Sequence, residues 1–246
     1  MAINFAKRQR RVLGRSYRRY RNQFANTRAV SARPRLARFL EHFDLVAVDH
    51  GIFRFAYLNL HQVAPGVWRS AQPGPRDIRK LAKRGLRTVI NLRGSRDCGS
   101  YRLEQQACER YGVRLINFKL GSRAVPTREQ IHQAAALFEE IEYPALIHCK
   151  SGADRAGLMS ALYMILREGQ PVDQASRQLS LRYGHFRQAD TGVLDHFLES
   201  YREQTAGTPM DFIQWVDEHY KPKEVARGFR PQGFTNFLVN RLLKRE

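Results

Sequence analysis

The sequence predicts an α/β fold in which a mostly parallel central sheet is flanked by helices. Between about Val63 and Gly169, short apolar runs alternate with segments of helical periodicity in the order β-α-β-α-β-α. Such alternation is typical of parallel strands joined by helical crossovers. Hydrophobic residues make up 43% of the 246 residues and charged residues 26%, which indicates a globular chain with a substantial core.

The first elements are recognised from turn residues and spacing. VAPGVWRSAQP places turn residues around a short apolar strand. A helix is predicted over GPRDIRKLAKRG, where Ile78 and Leu81 lie at helical spacing and Gly85 marks the end. RTVINLRG then reads as a strand, SYRLEQQACERYG as a helix that ends at Gly112, and VRLINFKL as a further strand.

The clearest helix lies in TREQIHQAAALFEEI, because Thr127 and Gln130 have the spacing of a capping box. Its predicted inner face consists of Ile131, Ala135, Phe138 and Ile141. A short buried strand in YPALIHC and a helix in RAGLMSALYMILREG complete the alternation. Beyond Gln170 only helices are predicted, so the expected organisation is an amino-terminal arm, an α/β domain and a helical extension, over residues 1–43, 44–185 and 186–246.

The amino-terminal arm is strongly basic. Residues 1–40 hold twelve Lys or Arg and no Asp or Glu, within a chain of formal net charge +19. Such a segment suits an anionic membrane surface, nonspecific nucleic-acid binding or a transit peptide; a solvated basic tail is the simpler alternative. Three sparse cysteines and no secretory h-region predict a cytoplasmic location, with peripheral contact at the inner membrane face through this arm.

The functional signal is the stretch LIHCKSGADRAG, residues 146–157, where a buried strand meets a helix. Ligands of open α/β sheets bind at the carboxyl ends of strands, and free amides at a helix amino terminus attract anions. Gly152 allows the backbone to curl, and Arg155 offers a two-pronged grip on a phosphate. The same positive field favours the thiolate of Cys149, which places a nucleophile beside a bound phosphorus.

HCKSGADRAG resembles the Cys-x5-Arg phosphate loop of the protein tyrosine and dual-specificity phosphatase superfamily. The upstream stretch VAPGVWRSAQPGPRDIRKLAKRGLRTVINLRG is similar to the opening of the small, bacterial dual-specificity-like branch, and the resemblance covers roughly residues 62–185. Rhodaneses and arsenate reductases share part of this arrangement of residues. The resemblance implies the cysteine-phosphatase fold and a metal-independent phosphoric monoester hydrolase without a cofactor. The substrate it implies is a phosphorylated protein, or a phospholipid or inositol phosphate.

The resemblance also implies roles for individual residues. Cys149 would form a phosphocysteine intermediate, Arg155 and the loop amides would hold the phosphoryl oxygens, and His148 would orient the loop. The positions expected to contact the substrate are Lys150, Ser151, Gly152, Ala153 and Asp97. Arginines at predicted strand ends are expected to line the pocket, namely Arg69, Arg93, Arg96 and Arg123.

Two departures from the family pattern leave alternatives open. GSRAVPTREQ has no carboxylate before Glu129, where many relatives carry their general acid. Two candidates for the acid are Asp154, in the loop itself, which we favour, and Asp97, on a loop after a strand; a third alternative is that neither is the acid. Ala156 replaces the usual hydroxyl residue after the arginine, which leaves Ser151 to assist the second step or makes that step slow. Two other functions therefore remain open: a phosphate-binding module with impaired turnover, and a nucleic-acid-binding protein that uses the basic arm.

Overall fold

The computed structural model describes residues 58–231, which form a five-stranded mixed sheet with eight α-helices packed around it. The basic arm predicted over residues 1–43 and the end of the predicted carboxyl-terminal extension lie outside this range. The strands are β1 His61–Ala64, β2 Val67–Ser70, β3 Thr88–Asn91, β4 Arg114–Asn117 and β5 Ala145–His148. Their order across the sheet is β1-β2-β5-β3-β4. All neighbours are parallel except β1 and β2, which form an antiparallel hairpin.

Helices connect the parallel strands, as the predicted alternation requires. The helices are α1 Pro75–Ala82, α2 Gly99–Tyr111, α3 Arg128–Glu140, α4 Asp154–Leu166, α5 Val172–Ala175, α6 Val193–Gln204, α7 Phe212–Glu218 and α8 Pro222–Gly228. Helix α2 ends at Gly112 in the left-handed conformation, and the Thr127–Gln130 capping box opens α3, both as predicted. Three short 3₁₀ turns lie between α5 and α6. Among residues 58–231, no helix is long and apolar enough to cross a membrane.

Alternate residues of the central strands bury their side chains on opposite faces of the sheet. Ile90 and Ile147 contribute to a large core on one face, while Val89 and Leu146 contribute to a smaller core on the other. The smaller core is closed by α1 and α2, and the larger by α3, α4 and the later helices. Both faces are therefore apolar, which explains why the central strands read as continuous hydrophobic runs.

Two details differ from the sequence-based expectations. The sequence predicts one strand within VAPGVWRSAQP. The structure has parts of two there, because Gly66 takes a positive φ and turns the chain between β1 and β2 into a hairpin. On α3 the buried alanine is Ala134, and Ala135 is only partly buried. The alanine side chain is small, so either position is compatible with the helical spacing, and packing against the sheet decides between them.

The described carboxyl-terminal helices share the larger core with the sheet. Phe197 of α6 contacts the rings of Phe212, Trp215 and Tyr220, and these residues are buried in the same cluster as Ile147 of β5. The division into an α/β domain at 44–185 and an extension at 186–246 stays a prediction, but residues 193–225 contribute directly to the packing beneath the sheet.

Phe197→Ala should lower the free energy of unfolding by about 3–5 kcal/mol, because it removes a fully buried aromatic ring and leaves a cavity. If α6 and the sheet share one cooperative core, circular dichroism and tryptophan fluorescence will report the same denaturant midpoint. Leu181→Ala is the control, since Leu181 is 70% exposed and its loss should change the free energy of unfolding by less than about 0.5 kcal/mol. Two separate transitions would contradict the shared core.

Candidate active site

Cys149 lies where the central strand ends. His148, the last residue of β5, is in register with Ser70 of β2 and Asn91 of β3, so three parallel strands end at the same level. The cysteine follows immediately and is 1% exposed. Residues 149–153 then lead into α4, which begins at Asp154 and carries the buried Arg155 in its first turn. The predicted strand–loop–helix arrangement is therefore present, with the loop at the carboxyl edge of the sheet.

The outer side of this loop is held by donors from other segments. The carbonyl oxygen of Ser151 accepts a hydrogen bond from Nδ2 of Asn59 at 3.0 Å. The carbonyl oxygen of Lys150 accepts one from the backbone N–H of Gln72 at 3.4 Å. Asn59 is buried, has a positive φ of 51° and also donates to the carbonyl of Tyr183 at 2.9 Å. The first half of the loop thus has its carbonyls turned outward.

The second half of the loop is held by Arg69 of β2. Its Nη2 donates to the carbonyl oxygens of Gly152 at 2.6 Å and Ala153 at 2.9 Å. Because the N–H of each peptide points opposite to its C=O, four outward carbonyls in succession turn the amides of residues 151–154 toward the inside of the loop. A concave run of amides at the start of a helix is an anion-binding nest.

Arg69 is buried and bonded through both terminal nitrogens of its guanidinium rather than exposed to a ligand. Its Nη1 donates to the carbonyl and to Oε1 of Gln178 at 2.5 and 2.9 Å, and its guanidinium lies 4.1 Å from the ring centroid of Tyr183. Burial lowers the pKa of Arg69 to about 10, with the negative charge of Cys149 acting in the opposite direction, so the side chain is charged at neutral pH. The expectation that Arg69 lines the pocket is wrong, because it supports the loop from outside.

Gly152 is required by its conformation and by its surroundings. Its φ is +74°, a region that favours glycine. A Cβ at this position would lie 2.6–2.9 Å from the backbone atoms of Ser70 and Ala71. The loop therefore packs directly against the end of β2, which is what brings Arg69 within reach of its carbonyls.

A buried polar chain reaches the loop from the other side. Nε2 of His148 lies 2.6 Å from Oε1 of Glu104, and both side chains are fully buried. The other oxygen of Glu104 accepts a hydrogen bond from Gln72 at 2.8 Å, and Gln72 accepts one from Arg93. Nδ1 of His148 is 3.3 Å from the carbonyl oxygen of Cys149. His148 thus links the start of the loop to α2, and Arg93 joins this chain from the end of β3.

Asp154 belongs to a buried triad with a histidine. Its Oδ1 lies 2.8 Å from Nδ1 of His185, and Nε2 of the same ring lies 2.6 Å from Oδ2 of Asp195. Burial by itself lowers the pKa of His185, but the two carboxylates outweigh it and raise the pKa to about 8. The ring therefore carries a positive charge near neutral pH and holds the carboxylate that precedes Arg155.

The remaining predicted contact residues occupy different environments. Lys150 and Ser151 are partly exposed, Ala153 is buried, and their backbone forms the loop described above. Asp97 lies between β3 and α2, where its carboxylate is 68% exposed and 2.7 Å from Nη1 of Arg102. Asp97 is thus engaged at the surface, while Asp154 is enclosed beside the loop.

Several supporting residues carried no signal in the sequence that could have identified them. They come from segments far from the loop along the chain, namely Asn59, Gln72, Glu104, Gln178, His185 and Asp195. Of the supporting residues, the sequence points to Arg69 and Arg93 from their places at strand ends, and it assigns Arg69 the wrong role. Acidic and amide side chains are usually exposed, so their burial here depends on a tertiary arrangement that no local pattern predicts.

The central part of the chain matches a known protein family. The family model described as "DSP-PTPase phosphatase fused to NAD+ Kinase" matches residues 58–194. That range extends from just before Asn59 to just before Asp195, so it contains every residue that holds the loop except the last member of the triad.

A curated relative is also a phosphatase by name. "Dual specificity protein phosphatase TpbA" of Pseudomonas aeruginosa (strain PAO1) is 28% identical over 134 residues, which cover 54% of this chain and 57% of the relative. The chain thus spans little more than half the length of this curated relative. The crystal structure of P. aeruginosa TpbA is 20% identical with a TM-score of 0.47, covering 62% of this chain and 93% of that one.

Gly152→Ala should destabilise the protein more than the same change at Gly207, and the pair isolates the close backbone contact. Both glycines have a φ near +75°, but only Gly152 has backbone atoms within 3 Å of the added Cβ, since Gly207 has nothing within 4 Å. We expect an additional loss of about 1–3 kcal/mol from overpacking at Gly152. Urea unfolding of the two variants measures the difference, and equal losses would contradict the described packing.

Proposed function

The chain belongs to the DSP-PTPase phosphatase family, and from this premise we propose that it hydrolyses phosphomonoesters through a covalent intermediate on Cys149. The observation that carries the proposal is the set of outward-held carbonyls, which directs four successive amides into one hollow beside a cysteine. Amides fixed in advance stabilise negative charge without reorganisation during the reaction. A phosphoryl group, with three oxygens bearing charge, suits such a hollow.

The proposed reaction has two steps. In the first, the sulfur of Cys149 attacks phosphorus, the P–S bond forms, and the ester oxygen leaves with a proton. In the second, water attacks the phosphocysteine, the P–S bond breaks and phosphate is released. Arg155, in the first turn of α4, is proposed to grip two phosphoryl oxygens with its planar guanidinium. The loop amides and the amino terminus of α4 supply further positive potential.

Asp154 is the proposed general acid. It is buried at the start of α4, beside Arg155 and bonded to His185, whereas Asp97 is largely exposed and paired with Arg102. A general acid must lie within hydrogen-bond reach of the leaving oxygen, and a residue of the loop itself meets that requirement more readily than a surface carboxylate. Asp97 is therefore the weaker alternative.

His148 and Ser151 are proposed to assist the reaction without contacting the phosphorus. His148 is fixed by Glu104 and lies against the carbonyl of Cys149, which supports a role in orienting the cysteine. Ala156 is buried and offers no hydroxyl, so Ser151 is the proposed partner of the departing thiolate. A slow second step would favour the alternative of an impaired phosphate-binding module, in which the phosphocysteine accumulates.

We propose phosphorylated protein as the substrate class, following the name of the curated relative. Lys150 adds a positive charge next to Cys149 and is compatible with a polyanionic headgroup as well. A phospholipid or inositol phosphate is therefore tested as a separate class of substrate. Membrane contact through residues 1–40 and the nucleic-acid-binding alternative both depend on residues outside the described range and stay predictions.

The proposal is tested by phosphate release from phosphotyrosyl peptides, phosphoseryl peptides and phosphoinositides. Cys149→Ser should abolish release from every substrate, because the hydroxyl is not ionised at neutral pH. Loss of a general acid typically costs about 10²–10⁴-fold, so Asp154→Asn should slow release by that order while Asp97→Asn leaves it within about threefold of wild type.

The two Asp→Asn variants are matched controls for each other, since each removes one charge with almost no change in shape. If Asp97→Asn alone abolishes turnover, the acid assignment is wrong. If wild type forms phosphocysteine in a single turnover but releases no phosphate, the impaired module is the correct function. Turnover that survives Cys149→Ser would contradict a cysteine nucleophile.

A further inference from the structure

A histidine connects the phosphate loop to a cavity lined by residues between 172 and 202. His185 is 1% exposed and lies between Asp154 and Asp195, at 2.8 and 2.6 Å. The cavity has a volume of about 560 Å³, and its wall includes both His185 and Asp195 but none of residues 149–155. Asp195 is 12% exposed. A continuous line of hydrogen-bonding atoms thus runs from the loop carboxylate to a space outside the loop.

The triad holds a single mobile proton. With the imidazolium between two carboxylates, Nδ1–H donates to Asp154 and Nε2–H donates to Asp195. Moving the Nδ1 proton to Asp154 produces a carboxylic acid and a neutral ring that still donates from Nε2. Because Asp195 remains an acceptor in both arrangements, no hydrogen bond is lost when the proton moves.

We propose that His185 and Asp195 form a proton relay that protonates and deprotonates Asp154 during phosphoryl transfer. The proposal rests on the proposed function, since it assigns the source of the proton that Asp154 delivers. His185 and Asp195 act through Asp154 and are therefore positioning residues rather than catalytic ones. The relay explains how a carboxylate that would be ionised at neutral pH supplies a proton there.

The proton balance closes over the two steps. In the first step the Nδ1 proton passes to Asp154, Asp154 protonates the leaving oxygen, the P–O bond breaks and the P–S bond forms. In the second step Asp154 accepts a proton from the attacking water and returns it to Nδ1, while the P–S bond breaks and a new P–O bond forms. The net reaction is hydrolysis of one ester bond, and the triad returns to its starting state.

Other charged groups near the ring are mostly compensated among themselves. The cavity wall also includes Asp173, Arg177, Arg182, Arg187, Glu199 and Arg202. Arg187 pairs with Glu199, and Arg202 lies 3.5 Å from Asp173. The charge of Asp154 in turn favours the charged form of Arg69 and so raises the pKa of Arg69. Burial is the largest single influence on the pKa of His185 and lowers it, but the two directly bonded carboxylates together outweigh burial. The pKa of about 8 belongs to the triad as a unit.

The relay is tested by His185→Gln with two aryl phosphates that differ in leaving-group pKa. A glutamine amide keeps a donor near Asp154 but cannot exchange a proton. We expect kcat/KM for phenyl phosphate to fall by about 10²-fold, the order of general-acid catalysis. For 2,4-dinitrophenyl phosphate, whose leaving group needs no proton, it should fall less than about threefold. Equal losses for both esters would show a merely structural role and overturn the relay.

The pH profile provides a second readout. Wild-type kcat/KM for phenyl phosphate should decline as the pH rises through about 8, where His185 loses its proton. In His185→Gln this decline should move to lower pH by at least about one unit, because Asp154 must then hold the proton itself. A decline that stays near pH 8 in the variant contradicts the relay.

Two controls separate the relay from general disturbance. His132→Gln removes a surface histidine that pairs with Asp217 at 2.7 Å, and it should leave both esters and the pH profile unchanged. The double variant His185→Gln/Asp154→Asn should be no slower on phenyl phosphate than Asp154→Asn alone, because the two residues act on one proton. Additive losses would mean that they act independently.

A direct titration distinguishes failure of the relay from failure of the proposed function. NMR of ring-labelled histidine, assigned by the signal missing in His185→Gln, should show titration near pH 8 in wild type and nearer 6.5 in Asp195→Asn. If wild type hydrolyses neither ester, the proposed function is wrong, but the NMR titration of His185 still reports whether the triad holds its proton. A His185 signal that titrates near 6.5 in wild type overturns the relay even if both esters are hydrolysed.

Discussion

The site depends on one buried cation, Arg69, which fixes the backbone of the loop from behind. Moving a guanidinium out of water costs several kcal/mol. Arg69 offsets this cost through its two terminal nitrogens, which donate to three carbonyl oxygens and a side-chain amide, and through stacking on Tyr183. These bonds fix the orientation of the loop backbone, because carbonyls held outward leave the amides pointing inward. The loop is therefore shaped for an anion by the protein's own charge, before any ligand binds.

Two further contacts hold the ends of the same loop from opposite sides. Glu104 of α2 fixes His148 at its start, and His185, from the segment before α6, fixes Asp154 at its end. With Asn59, just before the β1–β2 hairpin, and Arg69, within it, the loop is held by three segments well separated along the chain. A hollow that must match a tetrahedral anion within a fraction of an ångström needs such support, since sites held loosely lose most of their effect.

Local patterns were sufficient to predict the fold but not the support of the site. The helices and strands from Pro75 to Leu166 follow from spacing, caps and glycines, and the strand–loop–helix around Cys149 follows from composition and motif. The hairpin at Gly66 is not predicted, although its two strands have four residues each, as do the strands that the sequence does predict. Glu104 and His185 lie in segments that read as ordinary helix and loop, and their burial arises only when those segments meet the loop.

The charge balance of the loop explains why an acid can reside within it. A carboxylate beside a thiolate and a phosphate dianion would repel both. Family members that carry the acid on a separate movable loop avoid this repulsion, whereas Asp154 is permanently enclosed. The imidazolium of His185, 2.8 Å from Asp154, supplies the compensating charge, and Arg155 and Arg69 supply the rest. An acid inside the loop and a buried histidine behind it thus form one electrostatic arrangement.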